Sequence, residues 1–209
     1  VAYQYIFWDN DGVLVDTEGL YCQASREALA QIGFELTDEQ FTTVSLASGR
    51  SVFELATTDQ ALMEELRRWR NRRYSELLAG QDLVLPGVRD TLAQLAPRLG
   101  MAVVTSSRRD HFDLIHADSG LRPYFDFVLC REDYHAAKPD PEPYLLALAR
   151  SGCAAQQCLV IEDSARGLAA AKAAGLTCWV TPSTQTRTQD FCGADRVLDR
   201  LGELPGLLG

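Results

Sequence analysis

The 209-residue sequence predicts an α/β fold: a doubly wound parallel sheet with a small all-helical domain inserted after its first strand. Three observations lead there. Tyr5-Ile6-Phe7-Trp8 is a short, continuous apolar run, the pattern of a strand covered on both faces. From Pro86 onward apolar runs of strand length alternate with segments of helical period, as a parallel sheet with helices on both faces requires. Between those regions, residues 17–84 have helical spacing only. A chain of this length suits one sizeable core with a small insertion. The expected division is therefore an α/β core of residues 1–16 and 85–209 and a helical cap of residues 17–84.

The elements follow in order. After Asp16, Leu20, Ala24 and Ala28 with Tyr21, Ser25, Leu29 and Ile32 recur at three- and four-residue steps, and Gly33 ends the run. Asp16 and Thr17 stand where they would cap this helix. Thr37-Asp38-Glu39-Gln40 has capping-box spacing, flanked by Leu36 and Phe41 as a hydrophobic staple. A long helix is expected from about Asp59 to Ala79, on Leu62, Leu66, Trp69, Arg73 and Leu77, stopping at Gly80. Then come a helix over 88–99, a strand ending at Thr105, a helix over 110–119 and a strand at Phe127-Val128-Leu129-Cys130. Pro141 suits the first turn of a helix reaching Arg150. Ser164 is placed to cap a helix over 165–174, which Gly175 ends. Thr177-Cys178-Trp179-Val180 and Arg196-Val197-Leu198 are the last strand candidates, and the polar stretch from Thr181 to Thr188 reads as a surface loop. The whole is a Rossmann-like core with an inserted cap.

Composition narrows the partners. A formal net charge of −9 argues against nucleic acid, whose phosphates nothing here would offset. It leaves room for a phosphorylated small molecule, since a bound cation and a few basic residues set the local field. No apolar run approaches the roughly 20 residues that span a bilayer, so no membrane contact is expected. The N-terminus enters a core strand at once, with no visible targeting peptide, and Val1 suggests a missing initiator methionine. Six cysteines are scattered without a CxxC pair, and Cys130, Cys158 and Cys178 read as small buried hydrophobes. A cytoplasmic monomer is the expectation. His111, His116 and His135 lack ligand spacing, which makes a zinc site improbable.

The chemistry gathers at strand ends. Asp9 and Asp11 stand two residues apart where the first strand stops, with Gly12 free to turn the chain. Two acids so close repel unless a cation or a proton relieves them. The strand Met101-Ala102-Val103-Val104 ends in the hydroxyls Thr105, Ser106 and Ser107. Lys138 is a lone cation followed by Pro139, and Cys158-Leu159-Val160-Ile161 ends in Glu162 and Asp163. In a parallel sheet these ends converge on one edge. Any one of them alone is ordinary: a strand-end hydroxyl, a solvated lysine, an acid at a helix start. Together they supply acids for a hard divalent cation, a carboxylate nucleophile, and a hydroxyl and a lysine for phosphate oxygens.

Here the chain resembles the haloacid dehalogenase-like phosphohydrolases, whose four motifs stand in order as Asp9-Asn10-Asp11-Gly12, Thr105, Lys138 and Glu162-Asp163. Leu85-Pro86-Gly87-Val88 and Glu162-Asp163-Ser164-Ala165-Arg166-Gly167 are similar to the branch holding β-phosphoglucomutase, phosphoglycolate phosphatase and small sugar-phosphate phosphatases. The resemblance covers essentially the whole chain. It implies a magnesium-dependent phosphatase of a small phosphorylated metabolite. Asp9 is then the nucleophile and Asp11 the general acid and base. Asp9, Asp163 and the Asp11 backbone carbonyl hold Mg2+, with Glu162 binding it directly or through water. Thr105 and the Ser106 amide hold a phosphate oxygen, Ser107 lies with them at the substrate, and Lys138 offsets charge. The cap becomes a lid hinged near 15–17 and 83–86, and Arg50 in the Ser48-Gly49-Arg50 loop resembles the position that contacts the far end of the substrate. Arg67, Arg68, Arg70, Arg72 and Arg73, flanked by Glu64, Glu65 and Glu76, read instead as a solvated ion-paired face.

The nearest alternative is a β-phosphoglucomutase-type mutase. The resemblance gives those enzymes a histidine on the first cap helix and a lysine late in the cap, where this chain offers Tyr21 and Glu76. A dehalogenase is disfavoured by Asp11. A receiver-type signalling module, from another class, is disfavoured by the helical insertion and by Asp11-Gly12 directly after the first strand. A catalytically silent binding protein would release no phosphate.

Overall fold

A computed structural model describes residues 3–209; Val1 and Ala2, the start of the expected core segment, lie outside the described residues. Six strands form one parallel sheet: β1 (Tyr5–Trp8), β2 (Gly100–Val104), β3 (Phe127–Leu129), β4 (Cys158–Glu162), β5 (Thr177–Val180) and β6 (Arg196–Val197), in the spatial order β3-β2-β1-β4-β5-β6. That is the order of the doubly wound nucleotide-binding sheets, in which ligands sit beyond the carboxyl ends where the strand order reverses. β1 lies at that reversal. It pairs Trp8 with Val103 on one side and with Ile161 on the other.

The alternation of side chains across β1 explains why none of its residues is polar. Ile6 and Trp8 enter one apolar cluster with Leu92, Leu95, Phe112 and Leu204. Tyr5 and Phe7 enter a second with Tyr144, Ala147, Leu168 and Ala171. Both faces of the strand are thus covered by helices, which favours apolar residues at successive positions. The covering helices are α4 (Val88–Leu95), α5 (Arg109–His116), α6 (Glu142–Ser151), α7 (Ala165–Ala173) and α8 (Leu204–Leu208).

Between β1 and α4 the chain is helical. α1 (Glu18–Ala30), the short α2 (Asp38–Gln40) running into a wide helical turn at Phe41–Ala47, and α3 (Gln60–Leu78) enclose a third apolar cluster. It contains Leu29, Leu36, Phe41, Phe53, Met63 and Leu66. Thr37 and Gln40 form the expected capping box, and Leu36 and Phe41 are both buried beside it. Asp59 caps α3, its Oδ1 accepting from the Ala61 and Leu62 amides. The segments entering and leaving this region touch each other: Asp16 N donates to Leu83 O and Leu85 N to Leu14 O.

Two local expectations need correction. Thr17 stands at the N-cap of α1 but its side chain makes no cap hydrogen bond, because its hydroxyl turns to Asp11 instead. The stretch 181–188 is not simply surface. Thr186 is buried, and it hydrogen-bonds toward the sheet edge. Elsewhere the helices over 88–99 and 110–119 end four and three residues early, at Leu95 and His116.

Candidate active site

Asp9 follows β1 directly, and its amide donates to Ile161 O at 2.9 Å, which extends the strand register by one residue. That register sets Asp9 beside the end of β4, where Glu162 and Asp163 lie. Lys138 closes the group: its Nζ donates to Asp9 Oδ1 (2.8 Å), Glu162 Oε1 (2.7 Å) and the Val104 carbonyl (2.7 Å). All three of its donors are used, so an ammonium only 4 % exposed is fully satisfied. Burial alone would lower the pKa of Lys138, but Asp9 and Glu162 outweigh it and hold the pKa above its ordinary value.

Glu162 is wholly buried and fully engaged. Its Oε1 also accepts from the Tyr144 hydroxyl (2.7 Å), and its Oε2 accepts from Ser164 Oγ and the Asp163 amide, each at 3.2 Å. Burial pushes against its ionisation, yet Lys138 wins and keeps its pKa below the usual carboxylate range. Asp9 and Asp163 go the other way. Burial, then the charge of Glu162, pushes Asp9 up to about 7 despite Lys138. Burial, then Glu18 and Asp9, raises Asp163 well above its ordinary value. Carboxylate oxygens of Asp9, Glu162 and Asp163 lie within 4.8 Å of one another. Such a group is strained electrostatically as it stands, and a divalent cation among the oxygens would relieve it.

Gly12 makes the second acid possible. Its φ of +83° turns the chain after Asp11, and a Cβ there would overlap the Asp163 carboxylate. Asp11 is addressed by four donors. Thr17 Oγ1 donates to Oδ1, while Ser107 Oγ (2.7 Å), Thr105 Oγ1 (3.2 Å) and Asn10 Nδ2 (3.3 Å) donate to Oδ2. Thr105 in turn accepts from the Ser107 amide at 3.0 Å. Ser106 lines the same cavity, its Oγ buried and without a partner.

The structure thus brings Asp9, Asp11, Thr105, Ser106, Ser107, Lys138, Glu162 and Asp163 to one edge, as the motif order requires. Asp9, Asp11, Ser106, Ser107, Lys138 and Asp163 line a cavity of about 710 Å³ between the sheet edge and the helical insertion. Arg50 lines it from the insertion, exposed and paired with Glu54 at 2.7 Å.

Several residues escaped the sequence reading. Thr186 Oγ1 donates to Asp163 Oδ2 (3.2 Å), and Ser183 Oγ to Glu18 Oε2 (3.1 Å), so the 181–188 loop closes the Asp163 side of the acidic cluster. Burial raises Glu18 to about 7. The arginine cluster on α3 also divides. Arg67 pairs with Glu64, and Arg73 with Glu27 and Glu76, as a solvated ion-paired face would. Arg70 does not. It turns into the cavity, donates to the Tyr21 hydroxyl and stacks 4.4 Å from that ring. Burial lowers its pKa, and no carboxylate pairs with it among the described residues. Glu76 lies on the surface with Arg73, whereas Arg67 and Arg70 both line the cavity, Arg67 paired with Glu64 and Arg70 with no carboxylate among the described residues. Its i, i+4 relation to Leu66 and Tyr74, both buried, was the signal available in the sequence.

A sequence model described as haloacid dehalogenase-like hydrolase matches residues 6–181. The chain is 32 % identical to protein CbbY of Cereibacter sphaeroides over 98 % of its own length and 95 % of that protein. It is 31 % identical to the phosphorylated carbohydrates phosphatase of Thermotoga maritima, over 82 % of this chain and 81 % of that one. A crystal structure of a CbbY variant from Rhodobacter sphaeroides in complex with xylulose-(1,5)bisphosphate superposes with a TM-score of 0.84 at 27 % identity, covering 97 % and 96 % of the two chains.

Proposed function

Because the chain belongs to the haloacid dehalogenase-like hydrolases, we propose that it is a magnesium-dependent phosphatase of a small phosphorylated metabolite, working through an aspartyl-phosphate on Asp9. The observation that carries the reading is the Asp9–Lys138–Glu162 arrangement. Lys138 takes Asp9 Oδ1 and leaves Oδ2 to attack phosphorus. Glu162, with both oxygens occupied by donors, holds Lys138 in place and balances its charge.

Asp9 and Asp163, the two acids whose mutual repulsion is least relieved, would hold the ion together with the Asp11 backbone carbonyl. Glu162 would reach it only through water. A divalent ion there supplies positive charge to the transferring phosphoryl group. Asp11 protonates the departing oxygen and later deprotonates the water that cleaves the acyl phosphate. Its Oδ2 has three donors and its Oδ1 one, so Oδ1 carries the proton. Ser106 and Ser107 border the place of the phosphate oxygens, and the buried Thr105 hydroxyl behind them donates to Asp11. A carboxylate is a weak nucleophile, so positioning and charge neutralisation carry most of the acceleration.

The named activity of the Thermotoga relative and the bisphosphate bound to the Rhodobacter relative support a sugar phosphate or similar metabolite as substrate. Arg50 and Arg70 supply cationic contacts for the part of it remote from Asp9. Residues 17–84, with their own apolar cluster, serve as the lid, and residues 1–16 and 85–209 as the catalytic core. Phosphate release from a panel of sugar phosphates, phosphoglycolate and nucleotides, with magnesium and with EDTA, tests the reading. Magnesium-dependent release from the sugar phosphates is expected. Absence of release, with β-glucose 1-phosphate converted to glucose 6-phosphate once a bisphosphate primer is added, would replace it with the mutase.

A further inference from the structure

The residue between the two acids, Asn10, is wholly buried, and an amide in that place needs partners on both its ends. His116, in the last turn of α5, meets it: the imidazole Nε2 lies 2.7 Å from Asn10 Oδ1. The other ring nitrogen, Nδ1, lies 3.0 Å from Ser119 Oγ. Ser119 Oγ accepts the Leu121 amide at 3.1 Å, and Nδ1 is nearer to it than the His116 carbonyl at 3.5 Å. The serine therefore turns its proton to Nδ1. Burial pushes the imidazole down to about 4, so the ring is neutral at pH 7 and carries its one proton on Nε2. That proton goes to Asn10 Oδ1. With its oxygen fixed, the amide can face only its NH2 group to Asp11 Oδ2, 3.3 Å away.

We propose that Ser119, His116 and Asn10 form a buried positioning chain that fixes the carboxylate of Asp11 for proton transfer to the leaving group. Each link leaves one orientation for the next, and the last one adds a donor to Oδ2, reserving Oδ1 for the proton. None of the three touches the cavity, so they act through Asp11. The inference rests on the phosphatase reading and on Asp11 as its acid.

The leaving group separates positioning from mere stability. A sugar alkoxide must be protonated as it departs, whereas p-nitrophenolate leaves without a proton. Since kcat/KM reports the steps up to phosphoryl transfer, it should be measured for both. The sugar phosphate is the one that the wild type hydrolyses fastest, and the variants are Asn10→Leu and the more distant, milder Ser119→Ala. On the sugar phosphate Asn10→Leu should lose about tenfold or more, part of the 10²- to 10⁴-fold that an acid supplies. Its loss on p-nitrophenyl phosphate should be several-fold smaller, and Ser119→Ala should give the same ranking with smaller losses. Equal losses on both substrates, or no loss in either variant, would overturn the inference alone. A wild type that releases phosphate from neither substrate would overturn the phosphatase reading and this inference with it.

Discussion

Lys138 decides more than any other single residue. Two acids buried against each other are tolerated because one ammonium with three acceptors stands between them. Lys138→Met keeps much of the volume and removes the charge, which leaves Asp9 and Glu162 without their cation. Losing one partner of a buried ionic group costs about 3–5 kcal/mol. Urea unfolding at pH 7 should show a loss of that order, partly recovered as the pH falls and the acids take up protons. Unchanged stability would mean that the triad is not formed. His116 gives a test of opposite origin. Its pKa in the folded chain, about 4, lies below the ordinary 6.5, so between those values the unfolded chain binds the extra proton and the folded chain does not. The stabilisation is complete above pH 6.5 and is lost as the pH falls toward 4. The two values imply a contribution of about 3 kcal/mol. Comparing wild type with His116→Gln at several pH values isolates it from the carboxylates. A stability difference that does not change from pH 7.5 to pH 4.5 would contradict a neutral buried ring.

At the scale of elements, the site depends on how closely α7 approaches the end of β4. Gly167 stands where a Cβ would overlap the Glu162 carboxylate, so the helix can lie against the acid only with glycine there. Gly167→Ala should therefore displace either α7 or Glu162 and lower the melting temperature, although alanine is the better helix former in isolation. A higher melting temperature would show that the contact is slack. The elements were largely legible in the sequence: apolar runs gave the strands, Thr37 and Ser164 cap the helices where they were expected, and Asp59, expected as the start of the long helix, caps it. What escaped were side chains whose partners are remote in sequence. Thr17 looks like a cap until Asp11 is seen six residues back, and Thr186 looks like surface until Asp163 is beneath it. Arg70 shares its composition with four neighbouring arginines; its i, i+4 spacing from Leu66 and Tyr74 is the one local mark that sets it apart, and the packing of α3 on α1 gives that mark its meaning.

The whole molecule divides its labour between a sheet edge and an insertion. The sheet brings four distant motifs together because parallel strands end on one side, and that much follows from the order of the motifs. The insertion brings Glu18, Arg50 and Arg70 over the same cavity, and helical spacing marks only Arg70 of these three as facing inward. The insertion and the sheet region meet again where Gly49, at φ +68°, lies close against the Arg166 side chain, and where His111 Nε2 lies 3.3 Å from the Asn71 carbonyl. These contacts enclose the space in which Asp9 would attack. The most direct test of that attack is rapid acid quench of the enzyme during turnover of its best sugar phosphate, followed by mass spectrometry of its peptides. A phosphate's added mass is expected on the peptide holding Asp9, dependent on magnesium and lost with turnover in Asp9→Asn. Sustained phosphate release by Asp9→Asn, with no phosphorylated peptide in the wild type, would contradict it.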